Sequence, residues 1–132
     1  MPIRPPVHNP YNAARERQTN ARQQGYTPQW DKVSKLYRAQ HPLCLGCEAI
    51  GDITPAQCVD HVIPHRGNAA LMWDMGNLQP LCRWHHDMIK QQLEIMHMRG
   101  EITDHDLRID SPIAVRISRK FREKDRGGGR IS

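Results

Sequence analysis

Aromatic residues are scarce in this chain: seven of 132, with a single phenylalanine, and hydrophobic residues make up only 38%. So little apolar material builds a thin core, and small domains short of core commonly need a disulfide or a bound metal as a staple. Long hydrophobic runs are missing too. No stretch is long enough to span a bilayer, and the opening MPIRPPVHNP has no apolar centre of the signal-peptide kind. A membrane role is therefore not expected, and a reducing cytoplasm is the default compartment. Cysteine is limited to Cys44, Cys47, Cys58 and Cys82, set among eight histidines. That mixture favours metal over disulfides. The length fits one domain with appendages.

The net charge of +5 is unevenly spread. Residues 1–40 carry seven Lys/Arg against two acids, residues 41–110 five against ten, and residues 111–132 seven against two. Two basic arms flank an acidic middle rich in His and Cys. Basic flanks suit a polyanion such as DNA, because each neutralised phosphate releases counterions. Acids in the middle suit hard cations.

Residues 1–26, rich in Pro, Asn, Gln and Arg, read as a basic, flexible N-terminal arm. Thr27-Pro28 is a helix start, a capping hydroxyl followed by proline at the first helical position. Trp30, Val33 and Tyr37 recur at helical spacing and His41-Pro42 ends the run. Residues 43–59 are short and turn-rich, with a knuckle at Cys44–Cys47 and a turn at Gly51-Asp52. Cys58–Ile63 reads as a short strand that Pro64 ends. Residues 83–99 look helical, with Trp84, Met88, Ile95 and Met96 as the buried side and Gly100 as the stop. Ser111-Pro112 starts a final basic amphipathic helix with Ile113, Ile117 and Phe121 on its apolar face. Gly127–Gly129 reads as a flexible tail. The organisation expected is an arm (1–26), a central domain (27–100) and a basic C-terminal extension (101–132).

Cys44-x2-Cys47 and Cys82-x2-His85 form two ligand pairs 34 residues apart. Two such clips can close a tetrahedron of thiolates and imidazole around zinc. A redox pair at Cys44/Cys47 would need an alternating strand–helix pattern that this chain lacks. Cys58 is the odd cysteine, either a small buried side chain or a rival to His85 as fourth ligand.

Zinc leaves Asp60-His61, Asn77 and His86 unexplained. A phosphodiester hydrolase needs a Lewis acid, a base to activate water, and charge stabilisation at the leaving oxygen. Asp60 and His86 offer two ligands for a divalent ion. His61 offers an imidazole suited to taking a proton at neutral pH. Asn77 could hold a loop backbone and so place His61. His85 and His86 lie about 100° apart around a helix, so one can face zinc while the other faces away. Lys90, four residues after His86, could touch phosphate from the same face. His65 and Arg66 are further phosphate-binding candidates. Asp60 and His61 alternate along a strand, so serving one site requires a bend there.

These residues resemble the HNH endonuclease family. The resemblance rests on Cys44-Leu-Gly-Cys47, on Val59-Asp60-His61-Val62-Ile63-Pro64-His65-Arg66-Gly67, and on Gly76-Asn77-Leu78-Gln79-Pro80-Leu81-Cys82-Arg83-Trp84-His85-His86. It covers about residues 43–91, with His61, Asn77 and His86 supplying the three letters. The Trp30 segment and the Pro-His-Arg-Gly run are similar to small phage and prophage members found beside DNA-packaging genes. The resemblance implies a small α+β fold with a ββα-metal core and a structural zinc knuckle. It also implies His61 as general base, Asp60 and His86 as ligands of a catalytic Mg, Mn, Ni or Zn ion, and Asn77 as the orienting residue. Zinc-bearing relatives usually have a fourth cysteine where this chain has His85, so a Cys3His site is expected.

The function expected is metal-dependent cleavage of DNA, by nicking or double-strand cutting. Phage terminase or portal proteins are possible partners, and a bacterial host cell is the setting if the chain is phage-encoded. The competing class is a non-catalytic zinc module that binds nucleic acid or a partner protein and is indifferent to His61.

Overall fold

The structure, a computed structural model, describes residues 27–129 and the side chains of residues 27–125. The expected basic arm over 1–26 lies outside the described residues. Helix α1 (Pro28–Gln40) begins where the Thr27 hydroxyl accepts the Trp30 N–H at 3.4 Å. A one-turn helix, α2 (Leu45–Ala49), follows, with the Cys44 sulfur as its cap. Gly51 then takes φ +85°, a left-handed turn that returns the chain toward the sheet.

Strands β1 (Cys58–His61) and β2 (Leu78–Leu81) form a two-stranded antiparallel sheet with His61 opposite Leu78 and Asp60 opposite Gln79. β1 stops at His61, two residues before the run of β-formers ends. The connection carries α3 (Ala69–Met72), capped by Asn68, and a single 3-10 turn at Met75–Asn77. After β2 the chain enters a π-helical stretch, His85–Lys90, which continues as α4 (Gln91–Met98). A 3-10 turn (Asp104–Leu107) leads to α5 (Pro112–Gly129), and the Ser111 hydroxyl accepts the Ala114 N–H at 3.2 Å at its start. The molecule is a small α+β protein. No helix among the described residues is long and apolar enough to cross a membrane.

The two faces of the hairpin carry different cores, as strand alternation requires. Leu78 and Val59 pack with Trp30 and Met72 under α1. Leu81 and Cys58 pack on the other side with Ile89 and Leu93 of the long helix and with Leu107, Ile109 and Ala114. This larger core crosses residue 100, so the 101–125 segment is part of the domain's packing.

One expectation needs correction. The buried side of the 83–99 helix is His85, Ile89, Lys90 and Leu93, whereas Met88 and Ile95 are exposed. The π-helical turn, wider than the 3.6-residue period behind the expectation, shifts the phase. The backbone of the expected tail, Gly127–Gly129, is the last turn of α5.

Candidate functional site

Cys44, Cys47, Cys82 and His85 converge from α2, the end of β2 and the π-helical turn, all buried. His85 Nδ1 lies 3.6, 3.4 and 3.5 Å from the sulfurs of Cys44, Cys47 and Cys82, and the Cys47 and Cys82 sulfurs are 3.7 Å apart. Tetrahedral ligands with zinc bond lengths stand about 3.4–3.8 Å apart, so the spacing fits a structural metal ion such as zinc. The second residue of each clip adds an N–H to sulfur contact, Cys47 N to Cys44 Sγ at 3.4 Å and His85 N to Cys82 Sγ at 3.5 Å. As bare thiols the group shares protons unevenly. A hydrogen bond from Cys44, aided by His85, holds Cys82 down to about 3, while the same contact and burial push Cys44 far up. Cys58 lies outside the cluster, its thiol turned to the Leu81 carbonyl at 3.4 Å, and is raised to about 11 by burial and by the Asp60 charge.

Gly46 is a residue the sequence reading passed over. A Cβ there would come within 2.4 Å of His85 Cδ2, so only glycine lets α2 close on the imidazole. A glycine inside a Cys-x2-Cys clip was the available signal.

A second polar group sits beyond the same helix. Asp60 Oδ2 accepts from Lys90 Nζ and from Gln79 Nε2, both at 2.9 Å. Asp60 Oδ1 stands 3.9 Å from His86 Nε2. His86 Nδ1 is 2.9 Å from an Asp87 oxygen, and an ionised carboxylate only accepts, so the proton sits on Nδ1. In the neutral ring the Nε2 lone pair then faces Asp60 Oδ1. Two acceptors facing each other at this distance are a suitable pair for one divalent cation, and the Asp87 contact fixes the ring as ligating histidines require. His86 is 38% exposed and Asp60 only 13%, so solvent reaches the pair from the His86 side.

Lys90 corrects an expectation. It is 1% exposed, and its ammonium also donates to the His61 carbonyl at 2.8 Å. The group is turned inward and occupied, so it holds Asp60 and the end of β1 instead of meeting phosphate. Gln79, fully buried, does the same from β2 and accepts the Ile109 N–H at 2.9 Å. Neither role was visible without the register that sets Gln79 opposite Asp60.

His61 lies on the other face of the hairpin. The expected bend is absent: β1 pairs regularly to its end, and Asp60 and His61 point apart. The His61 ring stacks on Trp30 at 4.9 Å and meets His65 edge-on at 4.8 Å, with 6% of the residue exposed. Its Nε2 is 3.0 Å from the Met72 carbonyl, which can only accept, so Nε2 carries the proton and Nδ1 keeps a lone pair.

Asn77 closes the connection between the strands. Its Oδ1 accepts the Ile63 N–H at 2.9 Å and its Nδ2 donates to the carbonyls of Ile63 (2.9 Å) and Leu71 (3.2 Å). The loop after His61 is thereby pinned to the residue before β2. His65 is buried, its Nδ1 accepts the Gly67 N–H at 3.1 Å, and burial, then the neighbouring His61, pulls its pKa below the usual 6.5. His65 is as buried as His61, so neither ring meets a phosphate unless its cover moves. Arg66 is exposed with φ +47°, the one expected phosphate contact turned to solvent.

The structure thus joins Asp60 with His86, and separately assembles the Cys3His cluster. It sets His61 and Asn77 on the opposite side of the strand. No protein-family model, no curated protein and no solved structure matches the chain, so its functional reading rests on residues and geometry alone.

Proposed function

We propose that this protein is a metal-dependent endonuclease of the HNH type that hydrolyses DNA phosphodiester bonds. The observation that carries the reading is the pair Asp60–His86, two acceptors 3.9 Å apart, with His86 partly exposed and carried by the helix that also closes the Cys3His cluster. In this reading Asp60 Oδ1 and His86 Nε2 hold a divalent ion, which when bound supplies charge stabilisation at the scissile phosphate and the leaving oxygen. His61 takes the proton of the attacking water at Nδ1, since Nε2 is committed to the Met72 carbonyl. Asn77 holds the loop that follows His61, while Lys90 and Gln79 hold Asp60 so that Oδ1 faces His86. His61 ends β1, and a phosphate lying across the strand end would meet groups from both faces. Because the ring is nearly closed to solvent among Trp30, His65 and Met72, docking requires this cover to yield. Arg66 and the exposed cations of α5 (Arg116, Arg119, Lys120, Lys124) supply phosphate contacts. DNA-packaging proteins of a phage are proposed partners.

The test is supercoiled plasmid incubated with purified protein and Mg, Mn or Ni, with EDTA as quench, beside His61→Ala. The expected result is metal-dependent nicking that falls by about 10²–10⁴-fold in a zinc-loaded, folded variant. Equal cleavage by both proteins would remove His61 from the chemistry. DNA bound but uncut with every ion would leave a nucleic-acid-binding zinc module.

A further inference from the structure

The inner face of α5 reaches the Cys3His cluster at two points. Ser118, fully buried, sets its Oγ 3.2 Å from His85 Nε2. Since His85 Nδ1 is turned to three sulfurs, the ring proton belongs on Nε2 and is donated to Ser118. One turn on, Arg122 places Nη2 3.7 Å from Cys47 Sγ, and its guanidinium carbon lies 4.2 Å from the Trp84 ring centre. The Arg122 Nε is buried without a hydrogen-bond partner among the described residues.

A guanidinium half-sunk with a nitrogen unpaired is costly unless negative charge stands nearby. Three thiolates and a neutral imidazole around a dication leave a net charge of −1. The aromatic face of Trp84 supports the cation from the other side. These contacts join residues 33 to 75 positions apart in sequence and do not depend on the nuclease reading.

We propose that α5 is a working part of the metal centre, with Ser118 fixing the His85 tautomer and Arg122 offsetting the thiolate charge. Both are positioning residues, and both raise metal affinity beyond what the four ligands provide. Partners that orient a ligating imidazole typically contribute about 10–100-fold in metal affinity.

The test uses the full chain loaded with zinc, and separately with cobalt as a spectroscopic probe, in competition with a chelator. Arg122→Met keeps length without charge, Arg122→Lys keeps charge, and Ser118→Ala removes the acceptor. Affinity is expected to fall about 10-fold or more in Arg122→Met and in Ser118→Ala, with displaced cobalt–thiolate bands, and Arg122→Lys should recover most of the loss. Metal affinity within two-fold of wild type and superimposable cobalt spectra in both variants would overturn the proposal, even if they melted earlier. Equal losses in Arg122→Met and Arg122→Lys would overturn the charge assignment. If Arg122→Met does not fold, Ser118→Ala and Arg122→Lys still decide.

Discussion

His85 and His86 are neighbours in sequence, yet their surroundings differ in every respect that matters for a metal. The first is fully buried, completes a set of four protein ligands, and has its far nitrogen held by Ser118. The second is partly exposed, faces a single carboxylate oxygen across 3.9 Å, and is steadied by Asp87 at its edge. A full tetrahedron leaves no position for a substrate, whereas two ligands, as proposed for Asp60 and His86, would leave several. In the proposed reading, one helix puts a staple on one side and a place for chemistry on the other. One residue of rotation separates them.

Removing the metal is the strongest way to break that comparison. Structural zinc contributes roughly 10–16 kcal/mol of apparent binding energy in small domains, as much as or more than the roughly 5–15 kcal/mol of net stability of a folded domain. A strong chelator, or Cys82→Ala, is therefore expected to abolish the cooperative melt seen by circular dichroism. Loss of only Asp60–His86 metal binding with the fold intact would reverse the roles given to the two sites. A smaller effect is expected from Gly46→Ala. The added methyl meets the His85 ring, and overpacking of this kind costs about 1–3 kcal/mol. Zinc affinity measured by competition should fall with it, while the Asp60–His86 pair keeps its own metal response.

Lys90→Met sharpens the open side. Breaking one partner of a fully buried ion pair costs about 3–5 kcal/mol, and the slight exposure of Asp60 brings the expectation to the lower end. Denaturant unfolding gives the stability, and titration with manganese gives the affinity at Asp60. Unchanged manganese binding would show that Lys90 does not place the carboxylate. The mildest effect is pH dependence through His65. Its pKa is lowered by burial and by His61, so the fold prefers the neutral ring and the unfolded chain binds more protons. Its contribution to stability is full above about 6.5 and is lost as pH falls through the lowered folded value. Denaturation midpoints should drop over that window, and His65→Gln should flatten the slope.

The Cys3His cluster was legible because clip spacing is local chemistry, and Thr27-Pro28 and Ser111-Pro112 marked helix starts for the same reason. Cys44, Cys47, Cys82 and His85 needed no knowledge of the sheet. Lys90, Gln79, Ser118 and Arg122 were illegible as partners because their roles depend on strand register and helix phase. Lys90 in particular reads as a surface cation until the π turn rotates it inward against Asp60. Asn77 stands between: its loop-holding role follows from its amide chemistry, but its partners Ile63 and Leu71 come only from the folded chain.

The π-helical turn at His85–Lys90 also has a genetic consequence. A wide turn holds one more residue than the α-helix that could replace it, while the segments on either side stay in register. Met88, in the middle of the turn, is exposed, so its removal disturbs little packing. Deleting it is expected to convert the turn to α-helix, leave the four cluster residues, all of which precede it, in place, and pull Lys90 out of line with Asp60 at about the cost expected for Lys90→Met. Near-native zinc content with a weakened manganese response would mark the turn as an insertion that the fold can live without and the open site cannot. A deletion that unfolds the protein would instead make the extra residue part of the scaffold.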